Sequence, residues 1–195
     1  VAERAFNYLL DRNKKNPDLW FYSGTCLMQR EFYCVAELMF NKCLELDKHS
    51  VAAYNNLGTL CKEQQRNEEA EVYFRKALQF FPKRCSEETE KEKAGIWNNL
   101  ATLYVNNGTP DKAIEYCNNG LEYLPGNKKI LWNRSLAHLE KGEWKKGWDD
   151  YESGHEDDGK RKKRDYLNVP IWDGTHGKTV IVYGEQGIGD EILFS

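Results

Sequence analysis

No stretch of this 195-residue chain approaches the ~20 consecutive apolar residues a helix needs to cross a bilayer, so no membrane-spanning helix is expected. Neither sign of charge dominates. With 28 basic and 31 acidic residues the net charge is -3, which gives no electrostatic ground for a nucleic acid or an anionic membrane as partner. No secretory leader is expected from these residues: Glu3 and Arg4 follow Val1, with no apolar run behind them. The six cysteines, Cys26, Cys34, Cys43, Cys61, Cys85 and Cys117, make no C-x-x-C pair, so a zinc or dithiol redox site lacks its spacing. They read as reduced thiols of a cytoplasmic protein, most of them serving as small hydrophobes at helical core positions. No metal site and no cofactor is expected.

What is present is a pattern that recurs. Tyr54-Asn-Asn-Leu57-Gly58 is echoed by Trp97-Asn-Asn-Leu100-Ala101. Twelve residues after Gly58 comes Ala70, then Phe74, Ala77 and Pro82. Twelve after Ala101 comes Ala113, then Cys117, Gly120 and Pro125. The spacing extends back through Trp20, Gly24, Leu27, Ala36, Phe40 and Cys43. It extends forward, more weakly, through Leu131, Ser135, His138, Gly147, Tyr151 and Gly154. Gly24, Gly58 and Ala101 omit a side chain where two helices approach closely, and Tyr54, Trp97, Phe40 and Phe74 are expected to fill the space between neighbouring pairs. Gly108 suits a left-handed helix end, Thr109 a cap for the next helix, and Pro110 its first turn.

This order resembles the tetratricopeptide repeat, a pair of antiparallel helices about 34 residues long. The resemblance implies an all-α, right-handed solenoid with repeats at 17–50, 51–84 and 94–127 and a divergent one at 128–161. Residues 1–16, with Ala2, Phe6 and Leu9, read as the second helix of an earlier repeat, so the chain is expected to be a piece of a longer protein. Residues 85–93 exceed the period. Ser86 as cap, Glu87 and Glu88 in the first turn and a Glu87–Lys91 pair predict that they lengthen the first helix of the third repeat. That extension is either a solvated rim or a binding element.

A stack of helix pairs presents a concave face lined by first helices. At the sixth repeat position stand Tyr22, Asn56, Asn99 and Asn133, at the fifth Phe21, Asn55, Asn98 and Trp132, and at the ninth Thr25, Thr59, Thr102 and Leu136. An amide carries both donor and acceptor, so a row of them can hold an extended peptide by its backbone. The row resembles the asparagine ladder in the superhelix of O-linked N-acetylglucosamine transferase. These amides can alternatively satisfy one another or water. The lysines and arginines with which some chaperone-binding repeats grip a C-terminal carboxylate are replaced here by Asn, Thr and Phe.

Beyond Gly154 the composition changes. Residues 155–164 are polar and unpatterned and, with 162–177, read as a linker, although the basic run 160–164 also suits an anion patch. His155, His176 and the acidic residues 156–158 have no metal-site spacing. A strand is predicted at 178–183, followed by Gly184, Glu185, Gln186, Gly187, Ile188, Gly189 and Asp190. That is neither G-x-G-x-x-G nor a P-loop. Gly147-Trp148, Tyr151-Glu152, Pro170 to Gly174 and Gly184 to Asp190 together resemble bacterial proteins whose tetratricopeptide array continues into a heptosyltransferase-like glycosyltransferase domain of the two-Rossmann type. The resemblance implies that residues 178–195 open such a domain, that Gly184 to Gln186, Gly187, Gly189 and Asp190 form a nucleotide-sugar or acceptor loop, and that Asp190 is a general base for a sugar hydroxyl in the full-length protein. Asp190 as a plain helix cap is the alternative. The chain itself is expected to bind a protein or extended peptide on its concave face, to form a homodimer through exposed apolar surface, or to act as a spacer.

Overall fold

The computed structural model describes residues 14–82 and 86–154. The expectations placed on residues 1–13, on Cys85 and on 155–195, the strand and the glycine loop with Asp190 among them, lie outside the described residues. Within them the chain forms eight helices in four successive pairs. The first pair is α1 (Pro17–Gln29) and α2 (Tyr33–Leu46), and the second is α3 (Val51–Glu63) and α4 (Asn67–Phe80). The third is α5 (Glu87–Asn106) and α6 (Pro110–Tyr123), and the fourth is α7 (Lys128–Glu140) and α8 (Trp144–Gly154). No helix among the described residues is long and apolar enough to cross a membrane.

The two ends of each pair are made differently. First helices begin on a polar cap. Asn16 accepts from the Asp18 N–H, Ser50 from Ala53 and Asn127 from Ile130, while Ser86 and Thr89 form a reciprocal capping box. Lys91 then pairs with Glu87 at 3.0 Å along the longer α5. The turns inside the pairs use no such cap. Each turns on one left-handed residue: Glu31 (φ 64°), Gln65 (φ 63°), Gly108 (φ 63°) and Gly142 (φ 80°). Each is closed by the same pair of backbone bonds, as in Phe32 N–H to Leu27 O (3.0 Å) with Glu31 N–H to Met28 O (3.0 Å). Thr109 stands where a cap was expected, but its hydroxyl donates back to the Tyr104 carbonyl at 3.1 Å, which also accepts the Thr109 N–H that closes the turn.

Close approach inside a pair rests on small residues. A methyl group at Gly24 would lie 2.7 Å from the Phe40 ring, and one at Gly58 2.6 Å from the Phe74 ring. Phe40 and Phe74 are fully buried. In the third pair the size contrast narrows, with buried Ala101 and Cys117 at the same two positions. In the fourth the gap moves to Gly147, into which Leu139 fits. Tyr54 and Trp97 pack against the larger core. Their nearest ring partners lie within their own pair, Tyr54 on Phe80 (5.6 Å) and Trp97 on Tyr116 (5.7 Å), because the second helix of a pair is the nearer neighbour. Leu57 and Leu60 join Phe40, and Ala94, Ile96 and Leu100 join Phe74, so both phenylalanines share a core with the following pair. Three of the five described cysteines, Cys43, Cys61 and Cys117, are buried, whereas Cys26 and Cys34 are exposed. Burial pushes the Cys61 thiol up to about 11 and the Cys117 thiol up to about 12, against the opposing pull of Arg66 and Arg134.

Candidate functional site

The polar row lies on the first helices, where the fifth, sixth and ninth repeat positions share one face. Threonines are tied to their own helix: Thr25 Oγ1 donates to the Phe21 carbonyl (3.1 Å), Thr59 to Asn55 (3.0 Å) and Thr102 to Asn98 (2.8 Å). Tied in this way, their oxygens point at fixed places and are ready to accept. The asparagines cross from one pair to the one before. Asn56 Nδ2 donates to Thr25 Oγ1 (3.3 Å), Asn99 Nδ2 to Asn55 Oδ1 (3.0 Å), and Asn133 Nδ2 to both Asn98 Oδ1 (2.9 Å) and Thr102 Oγ1 (2.9 Å). All of these residues are half-buried.

The direction of these bonds decides what is left over. Every sixth-position amide donates towards the preceding helix, and the fifth-position oxygens of Asn55 and Asn98 accept. Among the described residues the Nδ2 groups of Asn55 and Asn98 donate to nothing, and the Oδ1 atoms of Asn56, Asn99 and Asn133 accept nothing. Each central pair therefore keeps an unused amide donor next to an unused amide acceptor. A peptide unit in extended conformation offers the complementary acceptor and donor.

The remaining predicted residues lie at the two ends and make ring contacts instead. Phe21 packs 6.0 Å from Phe40 and 5.4 Å from Tyr22, whose own side chain is 64% exposed. Trp132 packs 5.0 Å from Tyr151. Leu136 is half-buried. The row has no charged member, so its electrostatics are those of amide and hydroxyl dipoles.

Sequence reasoning missed the ionic ties between elements. Arg134 grips Asp150 with two bonds (2.6 and 2.7 Å) and reaches Asn118 of the preceding pair (2.8 Å). Arg66 reaches Glu37 (2.8 Å) and the Cys61 sulfur (3.1 Å). Lys141 crosses to Asp111 (2.5 Å), and Asn67 to Asn107 (2.8 Å). Apart from Arg66 and Cys61, these partners are 16 to 40 residues apart, beyond the reach of helical-spacing rules.

Comparison with known proteins agrees with this architecture. The family model of the cilia and flagella-associated protein 70 middle TPR-like domain matches residues 2–124, more than half of the chain. A curated relative, protein FlbA of Caulobacter vibrioides, is 25% identical over 184 residues, 74% of this chain and 29% of FlbA, so the chain spans less than a third of that relative's length. Among solved structures, MamA superposes with a TM-score of 0.66 at 22% identity, covering 77% of this chain and 83% of MamA. PilF of Pseudomonas aeruginosa gives 0.68 at 18% identity, covering 78% and 66%. A chain of the APC/C hetero-tetramer Cut9–Hcn1 gives 0.68 at 21%, covering 78% and 29%. At these identities the structures are similar in fold alone. The chain belongs to the family of the cilia and flagella-associated protein 70 middle TPR-like domain.

Proposed function

We propose that this member of the TPR-like family is a protein-interaction scaffold that holds an extended peptide segment by its backbone along the amide row of α3, α5 and α7. The observation that carries the reading is the spare donor and acceptor that each central pair keeps after the row has satisfied itself. Asn55, Asn56, Thr59, Asn98, Asn99, Thr102 and Asn133 supply the backbone contacts. Thr25, Phe21, Tyr22 and Trp132 close the ends of the row, with aromatic surface for an apolar side chain. Because no charge lines the row, binding should respond weakly to salt. That the similar Cut9 chain was solved in a complex with Hcn1 supports interaction as the general use of such an array.

The test is an array of uncharged twelve-residue peptides probed with the 1–195 chain and with three variants, Asn56→Ala, Asn99→Ala and Asn133→Ala. Capture is expected to fall at least tenfold in each variant. It should also fall on N-methylation of the peptide backbone, and it should change little when single peptide side chains are altered. Capture that follows peptide side chains and ignores the asparagines would refute the reading.

In the longer protein, the array would precede the glycosyltransferase-like domain that the ordered motifs between Gly147 and Asp190 suggest, with Asp190 as base and the 184–190 loop beside the acceptor. The same reading places the protein in the cytoplasm, where its thiols stay reduced. A reading frame without two Rossmann halves beyond Ser195 would remove the transferase from it. Homodimerisation is a separate proposal, tested by sedimentation.

A further inference from the structure

The four second helices can be aligned from their first residues, and that register exposes an anomaly at the last one. Their first residues are Tyr33, Asn67, Pro110 and Trp144, and their fifth are Glu37, Glu71, Ile114 and Trp148. In the first three pairs the fifth residue meets the following pair. Glu37 binds Arg66 at 2.8 Å. Glu71 bonds Tyr104, whose hydroxyl is raised far above its ordinary pKa by burial first and by this bond second. Ile114 packs into the shared core. The first residue can do the same, since Asn67 bonds Asn107 of the next pair at 2.8 Å. In α8 both positions are tryptophan, four residues apart and so on one face of the helix. Trp144 is 62% and Trp148 43% exposed. Tyr151, whose ring lies 5.2 Å from that of Trp148, extends the aromatic surface.

We propose that this face is covered by the chain's own residues 166–172, Tyr-Leu-Asn-Val-Pro-Ile-Trp, acting as the neighbour that a fifth pair would otherwise supply. Residues 155–165 contain no apolar side chain, so 166–172 is the first stretch after α8 able to bury against it. Length permits the return. The eleven residues 155–165 reach about 36 Å when extended, while α8, also eleven residues, is about 16 Å long. Chemistry fits as well. A proline favours the polyproline conformation and disfavours helix in the residue before it, so the Val-Pro step of this stretch suits docking as an extended segment. The tether supplies an effective concentration on the order of millimolar, so weak contacts suffice.

Hydrogen exchange of the 1–195 chain at several protein concentrations tests this. The amides of 166–172 are expected to exchange at least tenfold more slowly than an unstructured peptide of that sequence, equally at every concentration. Two variants should abolish the protection: Trp144→Ala with Trp148→Ala, and Ile171→Asp with Trp172→Asp. The second pair lies outside the array, so its effect is independent of array folding, which far-UV circular dichroism monitors for the first. Unstructured exchange rates in the wild type would overturn the proposal. So would protection that grows with concentration, which would make a second copy the occupant, or protection that survives both variants.

Discussion

The central pairs and the outer pairs of this array solve the same problem with different residues. At the fifth and sixth positions of the first helix the central pairs carry Asn55, Asn56, Asn98 and Asn99. The outer pairs carry Phe21 and Tyr22 at one end, Trp132 and Asn133 at the other. At the fifth position of the second helix, Glu37, Glu71 and Ile114 give way to Trp148 only in the last pair. A polar residue is tolerated half-buried when a neighbouring pair provides its partner, as Asn55 does for Asn99 at 3.0 Å. In the outermost described pairs aromatic residues take most of these positions, with Asn133 the exception. The middle of the array thus keeps spare amide donors and acceptors, and its outermost described pairs present aromatic surface.

Truncation of side chains should break the comparison most strongly. Phe74→Ala, in the second pair, removes a fully buried ring and should cost about 3–5 kcal/mol. Trp144→Ala, at the exposed end, should alter stability by under about 0.5 kcal/mol apart from contacts with the downstream chain. Urea unfolding of both variants measures the contrast, and equal losses would erase it. A smaller effect separates the turns. Gln65 holds a left-handed backbone that Gly142 adopts freely in the last pair. Gln65→Gly should therefore raise stability by about 0.5–1 kcal/mol, whereas Gly142→Ala should lower it.

The smallest effect is one of pH. Lys146 first, then Lys141, hold the Glu143 carboxyl down at about 2, from an ordinary value of 4.5. A depressed carboxyl stabilises the fold above its unfolded pKa, so this contribution is complete above pH 4.5 and fades as pH falls towards 2. Glu143→Gln should flatten the acid limb of the stability profile slightly in that window. An unchanged limb would show that this exposed cluster contributes nothing.

The all-helical paired architecture was legible because small and large residues recur at fixed offsets, and Ser86 with its following glutamates marked the start of the long α5. Gly108 marked its turn. Glu31 and Gln65 did not mark theirs, because a non-glycine residue in the left-handed region carries no compositional signature and is held there by the two backbone bonds that close the turn. The asparagine row was visible as repetition. Its internal bonding was not, since sequence gives amide positions but not which end of each amide faces its neighbour. Arg134 and Asp150 were invisible as a pair for the same kind of reason: neither residue type nor spacing names the partner across two helices.

The central claim is that the row consumes specific amide protons and leaves others for a ligand. The direct measurement is NMR exchange of the asparagine side-chain NH2 protons in the ligand-free 1–195 chain. Both Nδ2 protons of Asn133, bonded to Asn98 and Thr102, should exchange slowly, and those of Asn55 and Asn98 should exchange fast. Equal rates at Asn55, Asn98 and Asn133 would contradict the account.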